Sequence, residues 1–212
     1  MKTLFCLFAI LVASFSVSPV AHADTITLQL TGVNPTMQGG YHVGPASGSI
    51  NGTPIKMVCD DFAHHVSVGQ TWTATVSLFN DLSNARFANV ADAVAKYQQA
   101  AWLFDQFALN PSATGDIQFA IWGLFTPSTP VAQGAANWIN LAKAVNLSNY
   151  DFSGFRVYTP VDCSNSSPQE FIAKLPMTPV PEPTTLVLLG SGLAGLASLL
   201  KKRNRDKDSA DE

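Results

Sequence analysis

Hydrophobic stretches occupy both ends of this chain, and the residues between them carry little charge. Leu4 to Val17 and Thr184 to Leu200 are almost purely apolar. Such a layout allows one globular domain in the middle and assigns the two ends to a membrane or an export channel. A length of 212 residues leaves room for one ordinary domain between them. A multi-pass membrane protein is excluded, because there is no third long apolar run. Apolar residues make up 47% of the chain and charged residues 13%, against a typical ~25% charged. A disordered chain and a coiled coil are therefore both ruled out. Three cysteines are too few for a disulfide scaffold. From Asp24 to Pro183 there are six Lys or Arg against eleven Asp or Glu. A body this acidic is not expected to have nucleic acid as a partner.

The first end has the order of a secretory signal. Lys2 is a short charged start, Leu4 to Val17 an apolar stretch, and Pro19 a helix breaker. Ala21 and Ala23 flank His22 in an A-x-A cleavage pattern. The apolar stretch falls short of the roughly 20 residues of a membrane span. Residues 1–23 are thus expected to be removed, leaving Asp24 as the first mature residue.

At the other end, Pro181, Glu182 and Pro183 precede the apolar run 184–200, which contains Gly190, Gly192 and Gly195. A basic block with Arg203 and Arg205 follows at once. Its charges should stay cytoplasmic, so the run predicts a single transmembrane helix with the domain outside and residues 201–212 inside. The order of tripeptide, short Gly-bearing helix and basic block resembles the PEP-CTERM sorting signal of Gram-negative bacteria. The resemblance implies that an exosortase, a membrane cysteine transpeptidase, processes the chain. It further implies a host that makes exopolysaccharide, itself a possible binding partner. Leu175 to Thr178 echoes a sortase signal, but Pro179 stands where that signal needs glycine.

Residues 24–175 form the expected extracytoplasmic domain, and the proline-rich 176–183 its linker. Ile26, Leu28 and Leu30 alternate with polar residues, which predicts a strand. Asn51-Gly52 predicts a tight turn, with a strand over 55–60 after it. Trp72, Ala74, Val76 and Leu78 define one face of another strand. Helical spacing then takes over across 87–109 and ends at Pro111. Residues 117–125 are apolar all round, which predicts a buried helix. Thr129-Pro130 marks the start of a third helix, running to about Val145. Residues 155–158 return to strand, with Phe155, Val157 and Tyr158 closing the sheet begun at Ile26. Antiparallel strands, central helices and a closing strand predict an α+β fold.

Chemistry is sparse. Cys59, Asp60, Asp61, His64 and His65 bring metal-ligand types together, but neighbours on a strand point to opposite faces. No second His/Cys cluster completes a site, so solvated Asp and His at a strand end is the plainer reading. The chain has no Gly-x-Ser-x-Gly elbow and no P-loop, and it lacks paired glutamates. No enzymatic activity, cofactor or metal is expected. Trp72, Trp102, Trp122 and Trp138 are expected to pack in the core.

Two bonds compete for one sulfur. Cys59 and Cys163 both remain after signal cleavage, and exported cysteines commonly pair. The alternative starts from Val58-Cys59-Asp60 at a strand end and Gln118-Phe119-Ala120-Ile121-Trp122 opening a buried helix. These two motifs resemble those of bacterial surface thioester domains, with Ile117 where that family has threonine. The resemblance implies a thioester between Cys59 and Gln118 that captures surface amines. The sequence thus points to an exported, exosortase-processed surface or matrix protein, or to an adhesin armed by that bond.

Overall fold

A computed structural model describes residues 25–175, apart from 163 and 165. Several predictions fall outside those residues: the leader with Ala21 and Ala23, Cys163, and the linker with Pro181, Glu182 and Pro183. So do the membrane helix 184–200 and the tail with Arg203 and Arg205. Compact units divide the chain into Met1–Lys174 and Leu175–Glu212, and the first is described below. Among the described residues no helix is long and apolar enough to cross a membrane.

The domain is α+β. Its strands are β1 (Thr25–Gly32), β2 (Met37–Gln38), β3 (Tyr41–His42), β4 (Ala46–Ile50), β5 (Thr53–Cys59), β6 (Thr71–Leu78), β7 (Phe155–Pro160) and β8 (Phe171–Lys174). Between β6 and β7 lie α1 (Ala93–Leu109), a short 3₁₀ turn (Pro111–Ala113), α2 (Thr114–Phe125) and α3 (Gln133–Ala144). Six strands close into an antiparallel barrel in the order β1-β4-β5-β8-β7-β6, and β2 and β3 form a separate ribbon.

Local rules explain much of this. Asn51 and Gly52 take φ of 48° and 84°, both left-handed, as a two-residue hairpin turn between β4 and β5 requires. Leu28 and Leu30 point into the barrel, where Met57, Trp72, Ala74, Tyr158 and Phe171 join them. The opposite face of β5, β8 and β7 presents Val58, Ile172 and Val157 to a second core built with the helices. Those three neighbouring strands are a wall between two cores. This accounts for the unbroken apolar run Phe171-Ile172-Ala173, which strict alternation would not produce.

Four expectations need correction. β7 joins the sheet begun at Ile26, but it is not the closing strand: it lies between β6 and β8, and the unpredicted β8 closes the barrel against β5. The face of β6 is not continuous. Ser77 is buried and Leu78 is 43% exposed, because β1 covers β6 only to Thr75. Beyond that point Ser77 lies opposite Val157, which faces the helices. α1 starts at Ala93 rather than 87, after Asp92 in a left-handed conformation. α3 starts at Gln133, because Thr129 closes a turn on the Thr126 carbonyl and does not cap a helix.

Candidate functional site

β5 ends at Cys59, and α2 runs past that end. Helix α2 is buried along most of its length, packed by α1 and α3 and touching β5. That burial explains the apolar run from Phe119 to Phe125 and makes the helix's one amide, Gln118, conspicuous at 2% exposure. Gln118 Nε2 donates to the main-chain carbonyl of Cys59 at 2.7 Å. Its Oε1 accepts the main-chain N–H of Gly44 at 3.2 Å. Both amide atoms are thus paired, as a buried polar group requires. Cys59 and Gln118 together line a cavity of about 250 Å³, with Tyr41, His42, His65 and Trp122 among its walls. No Asp or Glu lines it.

The β2–β3 ribbon covers this region. Gln38 on the ribbon donates to Asp116 of α2 at 3.1 Å. Tyr41 packs its ring on Phe62 and Trp122, at 5.1 and 5.8 Å between centroids. Phe119 and Phe62 complete an aromatic shell around Trp122. Three of the four tryptophans lie in helices as expected; Trp122 is 4% exposed, and its indole N–H has no hydrogen-bond partner.

Among the described residues Cys59 is bonded to no other cysteine. The sulfur donates to the Asp61 carbonyl at 3.1 Å and accepts the Asp61 N–H at 3.3 Å. Burial pushes the thiol's pKa well up, and the charges of Asp60 and Asp61 add to this. The cysteine is therefore held protonated and quiet at neutral pH.

The residues that follow do not form the expected solvated strand end. Asp60 and Asp61 are both 0% exposed. Asp61 pairs with Arg86, accepts His64 Nδ1 at 2.8 Å, and caps the turn through the N–H groups of Ala63 and His64. Arg86 also reaches Ser167 Oγ at 2.6 Å and the Pro168 carbonyl at 3.0 Å. Glu170, also fully buried, accepts the Arg86 N–H at 2.6 Å, Tyr97 Oη at 2.5 Å, and the Thr159 hydroxyl. Neither oxygen of Asp60 meets hydrogen-bond geometry with a partner, yet the carboxyl lies against Glu170. Burial first, then the charges of Glu170 and Asp61, hold its pKa well above the carboxylate range. Burial raises Glu170 as well, against the pull of its three donors. The two carboxyls thus share a buried corner in which both hold protons to higher pH than solvated carboxyls do, Asp60 the more strongly raised.

The cluster predicted from sequence is thus split. Cys59 and His65 face the cavity, while Asp60, Asp61 and His64 belong to the network. Among the described residues no three His, Cys, Asp or Glu gather as a metal site would need. Sequence reasoning missed Gly44, Arg86, Tyr97 and Glu170. The one available signal was the lone Glu170 directly before the apolar run of β8.

Residues 179–203 match the family model described as the PEP-CTERM protein-sorting motif. The match covers Pro181, Glu182, Pro183 and Arg203, and it marks the chain as an exported substrate of an exosortase. No curated protein and no solved structure matches the chain.

Proposed function

We propose that the domain is a covalent binding module of the cell surface or extracellular matrix, armed by a thioester between Cys59 and Gln118. The observation that carries this reading is the Gln118 amide held 2.7 Å from the Cys59 carbonyl, with both residues lining one cavity. A thiol and a carboxamide placed side by side can condense with loss of ammonia. The product is a stored acyl group that an incoming amine or hydroxyl takes up. Walls without a carboxylate, with Tyr41, Trp122 and Phe171 among them, give the acyl group an apolar flank that slows its hydrolysis. The reaction is used once per molecule, so the protein is a reagent and not an enzyme, and it needs no cofactor. Export and exosortase processing would bring the module to the exopolysaccharide and proteins outside the cell, where such nucleophiles are abundant.

A second reading is a matrix component that never forms the bond. It is favoured by the full pairing of Gln118, which is also how an ordinary core amide is satisfied. The intact mass of the mature chain separates the two. A thioester leaves it one ammonia lighter than its sequence, and methylamine then adds its own mass. A bridge between Cys59 and Cys163 removes two hydrogens instead, and reductant restores them. A mass equal to the sequence, with Cys59 open to alkylation, would leave the matrix reading standing alone.

A further inference from the structure

Closing the bond between Cys59 and Gln118 needs more than proximity. The sulfur adds to Gln118 Cδ, an S–C bond forms, and the carbonyl electron pair moves onto Oε1. The C–N bond then breaks, the nitrogen takes the thiol's proton, and ammonia leaves. Charge gathers on two atoms along the way, the sulfur and Oε1. Each has an N–H donor beside it.

Gly44 supplies the first. Its main-chain N–H already points at Gln118 Oε1, 3.2 Å away. The 2.7 Å bond from Nε2 to Cys59 fixes which end of the amide faces Gly44. Gly44 adopts a φ of +91°, a conformation that side chains rarely take. A Cβ there would lie 2.6 Å from Thr114 Cγ2, so only glycine brings this N–H to the site without strain. The sulfur already accepts the Asp61 N–H at 3.3 Å, and Trp122 brings a further N–H to its side of the cavity. It follows Gln118 by four residues on α2, so both project from one face of the helix. Its buried indole N–H meets hydrogen-bond geometry with no partner, and the residue lines the same cavity as Cys59. A buried donor without a partner is costly to keep. One that lies beside the nucleophile gains a partner as the sulfur takes on charge.

We propose that the Gly44 N–H is the oxyanion donor for this bond and that the Trp122 indole N–H steadies the attacking sulfur, so that both residues are catalytic. The proposal rests on the thioester reading above. It applies in reverse as well. A nucleophile that opens the thioester puts negative charge on the same oxygen and expels the same sulfur, so the two donors also set the rate of capture.

The test uses the full-length chain and its G44A and W122F variants. The readouts are thiol release by methylamine at fixed pH and the thermal midpoint. Loss of one oxyanion donor typically slows acyl transfer about 10²–10³-fold. G44A, which displaces the donor, should open about 10²-fold more slowly. W122F removes only the N–H and keeps a ring for the aromatic shell; it should open about 10-fold more slowly with its midpoint preserved. In a Q118A background, where no thioester forms, W122F should also move Cys59 alkylation by iodoacetamide to higher pH. Native opening rates in W122F, or in a folded G44A, would overturn the proposal, as would an unmoved alkylation profile. If the native chain has lost no ammonia, the thioester reading itself fails. Ammonia lost at native rates in the variants sinks the donor assignment alone.

Discussion

The two sides of the β5 end differ in what they do with polar groups. On one side Cys59 and Gln118 meet at a cavity without acidic walls, and every hydrogen bond of the amide is neutral. On the other side, starting one residue later, Asp60, Asp61, Glu170 and Arg86 are packed out of water as an ionic network. The first arrangement satisfies a buried amide with neutral partners alone. The second ties the strand end to β8, to the turn that carries Arg86 and, through Tyr97, to α1. The contrast shows how one strand end can hold a buried thiol still. The sulfur is fixed by the main chain of Asp61, and Asp61 is fixed by Arg86.

The largest expected effect comes from breaking the network. Arg86→Ala leaves the buried Asp61 carboxylate without its guanidinium, with only His64 and two main-chain N–H groups around it; removing one partner of a buried ion pair typically costs about 3 to 5 kcal/mol. Urea denaturation should show that loss, and methylamine capture should fall with it because Asp61 no longer positions the sulfur. A variant with a native midpoint would mean that the network does not support the strand end.

A smaller effect sharpens the same comparison. Burial and the neighbouring carboxylates raise the pKa of Asp60 in the folded protein, whereas an unfolded Asp ionises above about pH 4. The fold therefore binds more protons than the unfolded chain above that pH. The contribution of Asp60 is complete below about pH 4 and is lost as pH rises through its raised folded value. Asp60→Asn keeps the shape without the ionisation. Its stability should change less between pH 5 and pH 8 than that of the native chain, and it should be the more stable of the two at pH 8. An unchanged slope would place the titrating proton elsewhere.

How far these features could be read from the sequence depends on their range. The Asn51-Gly52 turn, the Leu28/Leu30 face and the buried helix α2 follow from local pattern, and all three are present. β8 was missed because it is four residues long and buried on both faces, leaving no period to detect. The network escaped for a different reason. Asp61 with Arg86, and Glu170 with Tyr97, are pairs far apart in the chain. A pair of aspartates at a strand end ordinarily means solvent. Only the pairing of β5 with β8 turns that corner inward. The Cys59–Gln118 pair was reached through the resemblance of two short motifs to bacterial surface thioester domains; locally, a buried glutamine in an apolar helix reads as an ordinary core amide.

The central claim is that these two residues exchange a bond. Isotope-labelled methylamine followed by peptide mapping addresses it at residue level. The account predicts the label on the Gln118 side chain and nowhere else, with Cys59 becoming alkylatable only after the amine is added. An unlabelled Gln118, with Cys59 alkylatable from the start or bridged to Cys163, would contradict it.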